Sequence, residues 1–306
     1  MIFRHEYLDG VWVDLEQPNE EDIRQVAEEF SIGEHIEREL LYSTPVPLVM
    51  SDENMALLVL HFPTHGTDNG ETKSQEVYFV VCINFILTVR YEVVASLHHL
   101  KKLLEAQSLI AERAPITTDV LLEVLFAHLY TSVRDHTNHT ADNLSRVEKE
   151  MFNGHEKMTV RSISNISREF LHSEASLATQ EEPLIHFLNV LIRSGFFDSS
   201  FELRAQRIKA ERTNIARRVK THRAVATELR ETNIALLGAR QNEIMKTLTT
   251  INFIFLPLGL ISWTFAMRTE GMPLIDSPNA FWIVLGIMLG VAMLLITFFI
   301  KRRWLF

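Results

Sequence analysis

Polar and apolar residues spaced three and four apart could line a path for an ion. Asn242, Met245, Thr249, Asn252, Leu256 and Gly259 follow that spacing, with Leu248 beside them. Residues three and four apart share one face of a helix. Amide and hydroxyl groups on such a face would hydrogen-bond the water shell of a cation, while Met245 and Leu256 would form apolar constrictions that gate by dewetting. The alternative is that Thr249 and Asn252 only bond neighbouring helices. A second constellation is His136 and His139 with Asp135 and Asp142, one helix face able to hold a transition metal. His98 and His99 are adjacent and point to different faces. Solvated helix positions are the expectation for all of these histidines. The basic run of Arg204, Arg207, Lys209, Arg212, Arg217, Arg218, Lys220 and Arg223 reads as a solvated face or one paired with acidic neighbours. No nucleophile–base motif, phosphate loop or zinc-protease helix is present, so an enzyme has no support and no cofactor is required.

The residues of the first set need a long rigid element. Two uncharged apolar stretches lie near the C-terminal end, Thr247 to Met267 and Ala280 to Ile300. Each is about the 20 residues needed to cross a hydrocarbon core roughly 30 Å thick. Backbone groups in lipid must bond within their own segment, so each reads as a transmembrane helix. Lys246 precedes the first span and Lys301, Arg302 and Arg303 follow the second, while the loop of 268–279 carries Arg268, Glu270 and Asp276. The positive-inside rule then puts both termini in the cytoplasm and the loop outside. Trp263, Trp282 and Trp304 lie near span ends, where indole rings favour the headgroup layer.

The 306-residue chain has a net charge of −9, which argues against general nucleic-acid binding. One cysteine, Cys82, leaves no disulfide framework and fits a reducing compartment and a core position. MIFRHEYLDG shows no leader pattern.

The rest of the chain reads as an α+β region over 1–200. GVWVDL is a short strand. Pro18 and Asn19 start a helix with Glu20, Glu21 and Asp22 in its first turn and a stripe of Ile23, Val26, Ala27 and Phe30. PVPLVM, ALLVLHFPT, VYFVVCI and FILTVRY read as strands of an antiparallel or mixed sheet. A helical period begins at Val94. A long helix covers Thr118 to Phe152, with Leu122, Leu125, Phe126 and Leu129 inward and Asn153-Gly154 as its stop. One further helix is expected over Ser164 to Ser194. From Ser199 nothing breaks a helix before Pro257 except Gly238, so residues 201–246 form a cytosolic stalk feeding directly into the first span. A polar helix of about 65 residues, roughly 100 Å at 1.5 Å per residue, is unstable alone and needs partners.

QNEIMKTLTTINFIFLPLGLISWTFAMRTEGMP resembles the signature region of the CorA superfamily of divalent metal-ion transporters. The matches are Asn242, Glu243, Met245, Lys246, Leu248, Thr249, the run Phe255-Leu256-Pro257-Leu258, and Met272-Pro273. Lys301-Arg302-Arg303-Trp304-Leu305 after the second span also fits, as do VDLEQPNEEDIRQVAEEFSI, LLVLHFP and INFILTVRYE upstream. The resemblance implies a homopentamer with a funnel-shaped α+β cytosolic domain in a bacterial inner membrane. A long helix from each subunit would line the central pore and the second span would surround it. The transported or regulatory ligand would be a divalent metal such as Mg, Zn or Co. The family carries Gly-Met-Asn at the outer end of the first span. Ungapped counting from Pro257 places Ala266-Met267-Arg268 there, so the chain resembles the divergent, CmaX-like members lacking that triplet. Five Arg268 charges about 8 Å from a divalent ion would repel it by roughly 5 kcal/mol in water-like dielectric, and by about 2 after screening. Glu270 and Asp276 would offset this. A non-conducting scaffold and an anion-selective pore are the rival expectations.

Overall fold

The structure is a computed structural model and describes residues 2–8, 10–52, 54–63, 74–108, 116–267 and 279–302. Two compact units divide the chain, Met1–Arg230 and Glu231–Phe306.

The first unit is built on a six-stranded mixed sheet in the order β1-β2-β6-β5-β4-β3. Its strands are β1 (Ile2–Tyr7), β2 (Gly10–Glu16), β3 (Leu48–Ser51), β4 (Ala56–Pro63), β5 (Ser74–Val81) and β6 (Phe85–Arg90). β2 and β6 run parallel, and every other neighbouring pair is antiparallel. GVWVDL is therefore half of a hairpin, with Phe3 opposite Asp14. Gly10 opens β2 because a Cβ there would lie 1.9 Å from the Asn84 carbonyl oxygen. Period-two alternation sends Val13 and Leu15 to one face of the sheet and Trp12 and Asp14 to the other.

On the first face lie α1 (Glu20–Glu29) and α2 (Glu34–Leu41). Asn19 caps α1 in a capping box: its side chain accepts from the Asp22 amide at 2.7 Å, and Asp22 accepts from the Asn19 amide at 3.2 Å. Ile23, Val26, Ala27, Ile36 and Leu40 bury against Val13, Leu15, Leu57, Val59 and Val80. Cys82 is partly buried against the same cluster.

The opposite face carries α3 (Ala95–Ser108), α4 (Thr118–Phe152), α5 (Glu156–Thr179) and α6 (Glu181–Arg193). Phe126 of α4 stacks on Phe79 at 5.0 Å, and Tyr130 meets Phe62 edge-on at 5.8 Å. α4 ends where expected, with Gly154 at φ +91°. An ion-paired group is buried on this face. Arg90 and Asp14, both fully buried, meet at 2.8 Å, and Arg90 also reaches Glu16 at 2.9 Å and the Val94 carbonyl at 3.2 Å. Thr88 donates to Asp14 at 2.7 Å and accepts from the Trp12 indole at 3.0 Å.

The single helix expected over Ser164 to Ser194 is two helices broken at Gln180. Pro183 has no amide proton to continue the ladder back to Thr179. The Gln180 side chain, fully buried, donates to the His61 carbonyl of β4 at 2.5 Å and accepts from the Tyr130 hydroxyl at 3.2 Å. Sheet contacts thus hold the break in place.

The long helix α7 (Phe201–Ala266) starts beyond Asp198, whose side chain accepts from the amide and hydroxyl of Ser200. Those bonds, with Arg204 nearby, hold the Asp198 carboxyl below its ordinary value. Within the first unit α7 buries Phe201, Ala205, Ile208, Arg212, Ile215, Val219 and Ala226. That three-four spacing is a seam along one side of the helix.

The second unit comprises the rest of α7 and α8 (Ala280–Lys301). α7 continues through Pro257. The two helices touch at Phe253 and Phe299, rings 6.3 Å apart, and where the Ser262 hydroxyl lies 3.5 Å from the Met288 sulfur.

Candidate ion pathway along the long helix

The face of α7 turned to α8 is marked by burial. Thr250 is buried, and Ile254, Pro257, Ile261 and Phe265 are half-buried. At about 100° per residue these five cluster within roughly 80° of arc. Asn252, Leu256 and Gly259, with Met245 and Leu248, fall on the far side, centred about 170° away. Their exposure agrees: Met245, Leu248 and Leu256 are 56%, 51% and 68% exposed, Asn242 and Asn252 are exposed, and Thr249 and Gly259 are half-buried. Most of the expected pathway residues therefore lie exposed on α7, away from its buried face.

Thr249 donates its hydroxyl proton to the Met245 carbonyl at 2.7 Å. The hydroxyl oxygen keeps acceptor capacity for a water proton. Trp263, expected at the headgroup layer, lies on the same side as Leu256, with its ring over Gly259. Ala266 closes α7 and Met267 follows it, both exposed. Arg268, Glu270 and Asp276 lie outside the described residues.

The stalk half of α7 is fixed by acids from neighbouring helices. Arg204 pairs with Asp119 at 2.7 Å and Glu123 at 2.9 Å, which raises its already high pKa. Arg207 reaches Glu123 at 3.3 Å, Glu211 meets Arg134 at 3.1 Å, and Arg223 meets Glu174 at 2.5 Å. Arg212, 5% exposed, donates through Nε and Nη2 to the Leu177 carbonyl at the end of α5 and pairs with Glu181 at 2.8 Å. Arg217, Arg218 and Lys220 remain exposed. Of the two expectations for this run, pairing with acids holds for most of its arginines.

Of the histidine positions, His136 departs from the solvated expectation. His136 is 4% exposed, with Nε2 3.0 Å from Glu169 of α5. It is buried because α5 packs along α4, and Thr140 also donates to Glu169 at 3.0 Å. His139 is on the surface beside Asn143 at 3.3 Å. His98 lies 4.0 Å from Glu16, and His99 is exposed. Among the described residues no three His, Cys, Asp or Glu side chains gather as a metal site.

Among the described residues two helices are long and apolar enough to cross a membrane, α7 through its second half and α8. Residues 8–302 match the family described as CorA-like Mg2+ transporter protein. The chain belongs to the CorA family. The cobalt/magnesium transport protein CorA of Methanocaldococcus jannaschii is 21% identical over 304 residues, covering 96% of this chain and 91% of that protein. The complete structure of the CorA magnesium transporter from Methanocaldococcus jannaschii superposes with a TM-score of 0.80 at 20% identity, covering 98% of this chain and 93% of the other. The full-length CmaX protein superposes with a TM-score of 0.70 at 18% identity, covering 97% and 89%. The fold is accordingly the CorA fold: a soluble α+β domain, one long helix and a second apolar helix, in a membrane protein of a divalent-cation transporter family.

Proposed function

We propose that this CorA-family chain assembles as a homopentamer in a bacterial inner membrane and conducts divalent metal ions, Mg²⁺, Zn²⁺, Co²⁺ or Ni²⁺, along a pore lined by α7. Both termini are cytoplasmic. Residues 201–246 form the cytosolic stalk, 247–267 and 280–300 the spans, and 301–306 a basic tail. Asn242, Thr249 and Asn252 offer hydrogen bonds to hydrated ions. Met245 and Leu256 form the apolar constrictions, and Leu248 and Gly259 line the path. Ala266-Met267-Arg268 occupies the filter position, which alters selectivity relative to a Gly-Met-Asn site.

One observation carries this reading. The mixed polar and apolar side of α7 lies opposite its α8 contact and is exposed in the single chain. Asn252 facing acyl chains would leave an amide without partners in hydrocarbon. Copies of α7 turned towards a shared axis place it against water instead. Purified protein in liposomes, loaded with a metal-sensitive dye and offered each of the four ions, tests it. Influx of at least one ion above empty liposomes is expected, and no influx of any of them refutes conduction.

Arg268 supports a second reading, a non-conducting scaffold that keeps the fold without the filter. On that reading Ala266→Gly with Arg268→Asn creates transport where the parent has none. A parent that already conducts ends it.

A further inference from the structure

Trp263 stands on the ion-path side of α7 for geometric reasons that the span-end rule for tryptophan does not contain. Eleven, seven and four positions separate it from Asn252, Leu256 and Gly259. At about 100° per residue these intervals bring all four side chains within roughly 60° of one another. Trp263 is 70% exposed, and at about 100° per residue its position lies roughly 120° and 160° around the helix from the half-buried Pro257 and Ile261. A helical side chain leans towards the N-terminus and covers the residue four positions earlier. Here that residue is Gly259, and a Cβ built on it would sit 3.7 Å from Cη2 and Cζ2 of the indole. That is ordinary van der Waals contact, so the ring lies over the backbone of the preceding turn with room for a methyl group at 259. A side chain longer than alanine at 259 would displace it.

We propose that Trp263 from each subunit forms an aromatic collar that restricts the passage of hydrated divalent cations, one turn inside the filter position; this rests on the pore reading above. An indole has a single N–H donor and no oxygen ligand. A ring of indoles therefore cannot replace the waters of a divalent ion, which must pass hydrated or not at all. The indole faces attract cations, so the collar concentrates ions at its rim while its apolar bulk narrows the opening. Trp282 on α8 is equally exposed at 69% but stacks edge-on with Phe281 at 5.5 Å and belongs to the other helix. It serves as the comparison position.

Two measurements on the full-length chain test the collar. The first is Co²⁺ entry into proteoliposomes. Trp263→Gly is expected to raise the initial rate about tenfold or more, Trp263→Phe to fall between it and wild type, and Trp282→Phe to stay at the wild-type rate. Equal rates for Trp263→Gly and wild type, including no entry in either, overturn the restriction. The second is independent of conduction. In a Cys82→Ser background, single cysteines at Trp263, Asn252 and Trp282 are oxidised in membranes and subunit cross-links are scored. Cross-linking at 263 and 252 but not 282 is expected. Cross-linking at 252 without 263 overturns the collar and leaves the pore reading standing. No cross-linking at either overturns both.

Discussion

Arg212 ties the long helix to the rest of the first unit, and removing its charge gives a measurable stability change. Its guanidinium forks onto the Leu177 carbonyl, one of the last carbonyls of α5 without a helical partner. A hydrogen bond from a charged donor contributes about 1.5–3 kcal/mol, and an acceptor left unpaired in the interior costs about 1–3 kcal/mol. The ion pair to Glu181 adds little, because Glu181 is 58% exposed and an exposed pair is worth at most about 1 kcal/mol. Arg212→Met keeps the buried stem and removes the fork, and it also removes the desolvation of the charge, which pulls the other way. The net loss is about 2 kcal/mol, which for a unit of this size lowers Tm by roughly 4–8 °C. Thermal unfolding of the purified full-length protein in detergent, followed by helical circular dichroism, reads this directly. Arg212→Lys should lose an intermediate amount, since one ammonium cannot reproduce a planar fork. Glu181→Gln should shift Tm by less than about 2 °C. An Arg212→Met protein melting within about 1 °C of wild type, or a Glu181→Gln loss as large as that of Arg212→Met, would show that the carbonyl fork is not the anchor.

Other perturbations are equally specific. Asp14→Ala strands the fully buried Arg90 guanidinium and is expected to destabilise by about 3–5 kcal/mol, with Asp14→Ala plus Arg90→Met recovering part of the loss in the same melting assay. Burial holds the His172 imidazole below its ordinary 6.5. The folded chain then binds fewer protons than the unfolded chain just below neutral pH, so stability rises with pH through that window and is lost as pH falls. His172→Gln should flatten the acid-side decline in Tm between about pH 7.5 and 5.5, and an unchanged slope would assign the decline to other groups. Leu256→Asn, by wetting an apolar constriction, should raise cation entry into liposomes by about an order of magnitude, and an unchanged rate would remove Leu256 from the gate.

The parts of this fold legible in the sequence are those whose cause is local. An uncharged run such as Ala280 to Ile300 has few options other than a span or a deeply buried helix, and it is helical from Ala280 to Lys301. α4 was legible to its last residue because Asn153 and Gly154 stop a helix by themselves. Where the cause lies far along the chain, the sequence is silent. α2, EHIERELL, is only eight residues long and mostly charged, so its pattern of Ile36 and Leu40 is too short to stand out. The break at Gln180 depends on the His61 carbonyl, 119 residues earlier. His136 read as a solvated helix position because its partner Glu169 on α5 is invisible from α4 alone. Asp14 and Arg90 are 76 residues apart, and the parallel pairing of β2 with β6 brings them together.

The site follows the same division. The common side of Asn252, Leu256 and Gly259 is pure helical arithmetic and needs no coordinates. That this side lies opposite α8 depends on which residues α8 covers, and only Thr250 and its neighbours reveal that. Trp263 marks the boundary between the two kinds of knowledge. Its position near the end of a span suggested a headgroup anchor, and that rule holds for a ring free to reach the interface. In this chain the ring lies one turn inward, over Gly259. Gly259→Leu with Trp263 intact should push the ring off the preceding turn, shifting indole fluorescence while leaving the helix content unchanged. If the emission stays fixed, the ring does not rest against residue 259.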